Sequence, residues 1–171
     1  MIELMIVVAI VTILASIAMP QYKKFQLKAK TAEAKINIHA IRVAEEWYAT
    51  ENDVYKVAGW APGKLPGPVR RPFGYGEADT VGFQDIGFKP AGEVYFSYMV
   101  AEGEPSGNSV PLTKGNDTPA IEGVDITIIA VGDLDGDGGY DQQPDPTNPN
   151  NSVFYCTDEE PRIHKIHQGA F

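Results

Sequence analysis

The first nineteen residues of the chain are almost entirely apolar. From residue 4 to residue 19 no side chain is charged, and only Thr12 and Ser16 are polar. As an α-helix this stretch is about 28 Å long, close to the ~30 Å hydrocarbon core of a bilayer. A cleaved signal peptide would have a basic start and an A-x-A-like exit, and this stretch has neither. A core helix this apolar is rare in so small a protein. The pattern therefore predicts that residues 1–22 form a membrane-embedded half-helix.

The helical pattern continues beyond the apolar stretch. Apolar residues recur there at intervals of three or four, as on one stripe of an amphipathic helix. The members of this stripe are Phe25, Ala29, Ala32, Ile36, Ala40, Val43 and Trp47. Ile38, Ile41 and Tyr48 widen the apolar surface, so the helix needs neighbours on more than one side, for example its own globular domain and a neighbouring subunit. We expect it to end near Asn52 and Asp53, after about fifty residues, far beyond the usual ~11–12.

Two residues are unusual for a plain membrane anchor. Glu3 lies inside the apolar stretch, where an isolated carboxylate costs a few kcal/mol unless it has a partner or reaches the headgroups by snorkelling. Pro20 has no amide hydrogen to donate to the Ser16 carbonyl, so it weakens or kinks the helix before it.

The remainder of the chain reads as a small α+β head, residues 23–171. After the helix (23–52), residues 53–92 are rich in Gly and Pro and carry aromatic anchors, which predicts a packed connecting loop. Strand signals follow at residues 93–101 (EVYFSYMVA), 124–132 (VDITIIAVG) and 152–157 (SVFYCT). With no helical pattern between them, we expect an antiparallel sheet of three to four strands over residues 93–157, followed by a tail, 158–171.

An acidic loop follows the second predicted strand. Its candidate metal ligands are Asp133, Asp135, Asp137, the Gly139 carbonyl and Asp141. Aspartates at alternate positions followed by glycine are typical of the start of a calcium loop, because their carboxylates converge on one centre. Pro144 stands where an EF-hand has its bidentate glutamate, so a calcium loop of another kind is expected. The alternative is an acidic turn that uses Asp and Gly for their backbone preferences.

Charge and composition narrow the function classes. Residues 1–50 carry six Lys and Arg against four Glu, net +2, whereas residues 51–171 carry eight against nineteen acids, net −11, and together they give −9. An acidic chain without a long basic run argues against a nucleic-acid partner. The single cysteine, Cys156, excludes an intrachain disulfide and is expected to be a buried free thiol. No catalytic constellation, haem motif or nucleotide loop is recognisable, so we expect a protein that is not an enzyme.

The N-terminal motif resembles a known family. The run IELMIVVAI with a single glutamate, the exit PQY and the continuation KKFQLKAKTAEAKINI are similar to the N-terminal helix of type IV pilins and pseudopilins. The resemblance implies the pilin ladle fold, in which the sheet packs on the C-terminal half of the helix. Mature pilins usually begin Phe-Thr-(Leu or Met)-Ile-Glu after a short basic leader. The chain therefore starts two residues into that motif, and we expect the leader and the Phe-Thr pair to belong upstream.

The same resemblance implies a function and a set of partners. The chain would be a structural subunit of a type IV pilus on the bacterial surface, used in adhesion or motility, after a single-pass stage in the inner membrane. It would form a helical homopolymer, with prepilin peptidase, methylation and the pilus assembly machinery acting on it. Glu3 and Pro20 would serve assembly, with Glu3 pairing to the N-terminal amine of a neighbouring subunit. Two alternatives stay open, namely a pseudopilin or minor pilin of a type II secretion-like system, and a membrane-anchored calcium-dependent binding protein.

Overall fold

The computed structural model describes residues 1–74, 80–106, 110, 125–137, 139 and 142–168. Helix α1 (Ile2–Asn52) precedes β1 (Ala58–Ala61), the short helix α2 (Val81–Asp85), β2 (Ser97–Glu102), β3 (Ile126–Gly132), β4 (Ser152–Thr157) and β5 (His164–Gln168). The strands form one five-stranded sheet in chain order, with every neighbouring pair antiparallel. The predicted α+β architecture of a long helix with an antiparallel sheet packed on it is confirmed.

Helix α1 is continuous over 51 residues, including Pro20. At 1.5 Å per residue it is about 75 Å long, so only its C-terminal half can contact a sheet of this size. It ends where Asp53 adopts a left-handed conformation, φ 59°, and donates its amide to the Ala49 carbonyl at 2.9 Å. Aspartate tolerates this conformation better than most residues, which explains why the helix stops at the predicted place.

The main core lies between α1 and one face of the sheet. Strand β3 is buried along its whole length, and its alternate residues point to opposite faces. Ile128, paired with Val100 and Cys156, lies on the helix side, whereas Ile129 lies on the other side. That second face is covered by the loop around Leu65, whose amide donates to the Gln142 carbonyl at 2.7 Å. The head is therefore a sheet with a helix on one face and a loop layer on the other.

The strand count differs from the predicted three to four. Strand β1 lies in the segment expected to be a connecting loop, and β5 lies in the segment expected to be a tail. Both are edge strands with weak patterns of their own, AGWA and HKIHQ, and they are defined by pairing with β2 and β4. Sequence periodicity cannot find such strands, because they are specified by cross-strand hydrogen bonds and have no apolar face of their own.

The segment between α1 and β2 is packed, as its aromatic residues predicted. Phe73, Phe83 and Phe88 are buried with ring centroids 5.4–5.9 Å apart, mostly edge to face. Gly82 in α2 lets that helix approach β1, because a Cβ at this position would lie 2.7 Å from that of Ala58. These contacts fix the loop against the sheet over which α1 lies.

Candidate assembly surface

Among the residues that the structure describes, none covers the N-terminal half of α1. Large apolar side chains between Ile2 and Met19 are 53–75% exposed. None of its apolar stretch is buried, and it is long and apolar enough to cross a membrane, so it is not a core helix of this chain. A surface of this kind is stable only in lipid or against other apolar protein.

The polar side chains within this half-helix are placed close to its ends or satisfied locally. Thr12 donates to the Val8 carbonyl at 2.8 Å and Ser16 to the Ile13 carbonyl at 2.7 Å, so neither hydroxyl needs a polar neighbour. Glu3 lies exposed in the first turn, where the helix dipole favours a negative charge. Its pairing with another subunit concerns a contact beyond a single chain and stays a prediction, as does the weakening of the helix by Pro20.

Beyond Pro20 the helix has two opposite apolar faces. The face that contacts the sheet is a seam of Ala34, Ile38, Ile41 and Glu45, all fully buried and flanked by the partly buried Leu27, Ala44 and Tyr48. The stripe predicted from the sequence is the other face, and every member is exposed: Phe25, Ala29, Ala32, Ile36, Ala40, Val43 and Trp47. At 3.6 residues per turn the two faces are centred about 180° apart. The expectation of neighbours on more than one side therefore has a structural basis.

Polar contacts also fix the head to α1. Glu33 Oε1 accepts the Tyr95 amide at 2.7 Å, and Asn37 donates to the Tyr98 hydroxyl at 2.8 Å. Further along, Arg42 donates to the Asp158 carbonyl at 3.0 Å, and Glu45 Oε2 accepts the Lys56 amide at 2.9 Å. Sequence reasoning missed these contacts. The available signal was Glu45, which interrupts the apolar seam at helical spacing from Ile38 and Ile41.

Glu45 is the most unusual side chain of the head. It is fully buried, and among the residues that the structure describes its Oε1 has no hydrogen-bond partner. Burial raises the pKa of Glu45 to about 8, against the opposing effects of the Lys56 amide hydrogen bond and the Lys56 charge. The Lys56 ammonium itself lies 2.7 Å from an Asp85 carboxylate oxygen. The carboxyl of Glu45 is therefore largely protonated at neutral pH.

The structure brings together three of the predicted metal ligands. Oxygen atoms of Asp133, Asp135 and Asp137 lie within 4.8 Å of one another, with Asp133 buried and the other two exposed. Asp133 Oδ1 also accepts the Gly136 amide at 2.8 Å, which tightens the turn. Desolvation, a hydrogen bond with Asp135 and repulsion from Asp135 and Asp133 raise the pKa of Asp137. Gly139 has a positive φ of 88°, and Asp141 lies outside the described residues.

Cys156 is a free, buried thiol in β4, as predicted. Desolvation raises the pKa of Cys156 to about 11, partly opposed by the charge of Arg42. The thiol stays protonated at neutral pH, which makes it a packing residue of the core between the helix and the sheet.

Comparison with known proteins gives one informative match. Over 55 residues, 32% of its length, the chain is 51% identical to the type IV major pilin protein PilA of Myxococcus xanthus (strain DK1622). The matched part is 25% of that protein, so the similarity spans a quarter of the relative. No family model and no solved structure matches the chain. The resemblance to type IV pilins predicted from the N-terminal motif is thereby confirmed, and the chain is similar to a type IV major pilin over about one third of its length.

Proposed function

We propose that the chain is a structural subunit of a type IV pilus and polymerises through α1. The observation that carries this proposal is one exposed apolar stripe that runs along almost the whole helix. Its N-terminal part continues the register of the head stripe at intervals of three and four residues. The positions before Phe25 are Leu4, Val7, Val11, Leu14, Ala18 and Tyr22, all exposed. A membrane anchor alone has no need for such a stripe beyond residue 22.

Packing against copies of itself accounts for both halves of the stripe. The sheet covers the opposite face of α1, so the stripe is free for neighbouring helices. Before assembly, lipid covers the N-terminal half. In a filament, like helices would replace the lipid, so assembly depends on close geometric fit and not on a new hydrophobic gain. The head, net negative beyond residue 50, would then face water on the outside of the filament.

The relative supports a filament subunit. The matching protein is a type IV major pilin, and the similarity covers a quarter of it. A membrane-anchored binding protein that stays a monomer would leave the stripe of the head without a neighbour. We therefore place the chain in the inner membrane as a single-pass protein first, and in a surface filament afterwards.

Replacement of Ile36 by lysine is expected to prevent assembly without unfolding the head. Ile36 is 69% exposed on the stripe, so its substitution changes the free energy of unfolding by less than ~0.5 kcal/mol. In a filament the new ammonium would be buried without a partner, which costs several kcal/mol. We expect the filament mass sheared from cells, relative to total subunit, to fall at least about tenfold.

The matched control is His39→Lys, an exposed position on the same helix but off the stripe. It should leave filament yield close to that of the wild type. Thermal unfolding of both variants in detergent checks that the head is intact. Wild-type yield from Ile36→Lys would mean that the stripe is not an assembly surface.

We further propose that the acidic loop after β3 binds calcium. The donor set fits a hard cation, because three carboxylates lie within reach of one centre and repel one another without it. The Gly139 carbonyl and Asp141 would complete the coordination. Binding to the folded head would fix the connection between β3 and β4. An intrachain disulfide cannot take this stabilising role, because the chain has one cysteine.

Calcium is expected to raise the melting temperature of the full chain in detergent. At a hundredfold excess over Kd, binding to the folded form adds about 2.7 kcal/mol, a shift of roughly 5–10 °C for a protein of this size. Asp135→Asn should remove most of the shift, whereas Glu159→Gln, an exposed acid outside the loop, should keep it. Equal melting temperatures with calcium and with chelator would leave the loop as an acidic turn.

A further inference from the structure

A band of lysines surrounds α1 where it leaves the apolar segment. We call it the lysine collar, and it consists of Lys23, Lys24, Lys28, Lys30 and Lys35 of α1 with Lys165 of β5. Desolvation, and then the positive charges of Lys35 and Lys28, lower the pKa of Lys165. Glu33 is the only acid between residues 4 and 44, and its carboxylate is directed inward to the Tyr95 amide.

Most of this positive charge is not matched within the part of the chain that the structure describes. Lys30 has contacts of its own, donating to the Pro68 carbonyl at 3.0 Å and lying 4.5 Å from the centre of the Tyr95 ring. By contrast, no carboxylate in the described ranges forms an ion pair with Lys23, Lys24, Lys28 or Lys35. Within the described residues, these four lysines thus keep their charge unpaired next to the membrane segment of a chain whose head is acidic.

The position of the collar fits the polar zone of a bilayer. Lys23 and Lys24 follow Met19 by about 6 and 8 Å along the helix axis, and Lys28 by about 14 Å. The polar zone of one leaflet is ~5–8 Å thick, and charge acts over a further ~8 Å at physiological salt. Side chains on a helix tilt toward its N-terminus, which here is the direction of the membrane, and lysine stems are long enough to follow it.

We propose that, before assembly, the lysine collar binds the phosphate groups of anionic phospholipids in the leaflet that faces the head. The inference rests on the membrane-spanning part of the proposed function and not on filament formation. Binding there would hold the head against the surface and set the depth of α1. At ideal helical geometry the collar lysines of α1 all lie outside the exposed stripe, with Lys23 on the side of the buried seam. Lipid binding would therefore leave the stripe accessible.

The alternative ligand of the lysine collar is an acidic surface on a second copy of the chain. The lipid is favoured because the collar is continuous with the apolar segment, so the charges arrive at the headgroups whenever that segment is inserted. A second copy would have to be brought there by a separate encounter, and its effect would depend on protein concentration.

Reactivity of individual lysines tests the proposal. Full-length chain is added from detergent to preformed vesicles of phosphatidylcholine, alone or with about one third phosphatidylglycerol, and acetylated with a membrane-impermeant reagent. At low salt we expect Lys23, Lys24 and Lys28 to react at least about fivefold more slowly on the anionic vesicles. The difference should disappear in about 0.5 M NaCl, which shortens the screening length to a few ångströms. Lys89, outside the collar, should react equally on both.

A charge-matched pair of variants separates binding from simple proximity. From micelles that contain both lipids, phosphatidylglycerol should co-purify with the wild type and with Lys23→Arg/Lys24→Arg/Lys28→Arg. It should fall at least about threefold with Lys23→Gln/Lys24→Gln/Lys28→Gln. Equal lysine reactivity on both vesicles, or protection that grows with protein density at fixed lipid, would overturn the lipid-binding inference and leave the membrane-spanning half-helix unaffected. A chain that floats with neither vesicle would overturn it together with the membrane-spanning half-helix.

Discussion

Replacement of Glu3 by alanine is expected to abolish filament formation while the head stays folded. In the proposed filament the apolar half of α1 would be surrounded by like helices, so the Glu3 carboxylate would need a cationic partner there. Pairing with the N-terminal amine of a neighbouring subunit, which the resemblance to type IV pilins implies, would supply one. Removal of one member of a buried ion pair costs about 3–5 kcal/mol, which lowers subunit affinity at least about hundredfold. Sheared filament mass and electron microscopy of cells carrying the variant measure the effect.

The control is Glu51→Ala, which removes an exposed acid from the same helix, at its distal end. Filament yield from this variant should equal that of the wild type, and both variants should unfold at the wild-type temperature in detergent. Abundant filaments of Glu3→Ala would show that assembly does not depend on the charge. Loss of the folded head in that variant would contradict the separation between the exposed half-helix and the packed head.

The helix and its end were predictable because their causes are local. Apolar residues at intervals of three and four define α1, and Asp53 ends it with a left-handed conformation that few other residues accept. The central strands β2, β3 and β4 were predictable for a similar reason, since they are rich in β-branched and aromatic residues. The edge strands β1 and β5 were not, because pairing with a neighbour defines them.

The direction of each helix face could not be read from the pattern. The seam containing Ile38 and Ile41 and the stripe containing Phe25, Ile36 and Trp47 are both apolar at helical spacing. Periodicity alone does not say which face the chain's own sheet covers. The fit to the sheet decides, and the seam is the face on which Glu33 and Glu45 accept backbone amides of the head.

The candidate sites, like the strands, were predictable only where their cause is local in the chain. Close spacing in the chain brought Asp133, Asp135 and Asp137 together, as expected of residues within one turn. Glu3 has its expected partner in another subunit, so its role follows from the resemblance and not from the fold of one chain. Glu45 was missed because its partner, the Lys56 amide, follows from the path of the loop after α1.

The buried Glu45 predicts a pH dependence of stability. Its pKa is raised from 4.5 to about 8 in the folded head, so the folded state retains a proton that the unfolded state loses above pH ~4.5. The contribution of this group is therefore most favourable below pH ~4.5, declines as pH rises to ~8, and is constant above. Between pH 5 and pH 8 the wild type should lose a few kcal/mol of stability that Glu45→Gln keeps, because the amide is neutral throughout. Denaturant unfolding of both proteins in detergent at several pH values measures the difference.

The matched control is Glu46→Gln, which neutralises the adjacent residue, 49% exposed and 2.8 Å from Arg42. Its pH profile should run parallel to that of the wild type, because the buried carboxyl of Glu45 is present in both proteins. Glu33, whose pKa is also raised by desolvation, is present in all three proteins, so its effect cancels in the comparison. The decisive quantity is the stability of Glu45→Gln minus that of the wild type, which should grow steadily from pH 5 to pH 8. A constant difference over that range would mean that Glu45 titrates in the folded head as it does in water.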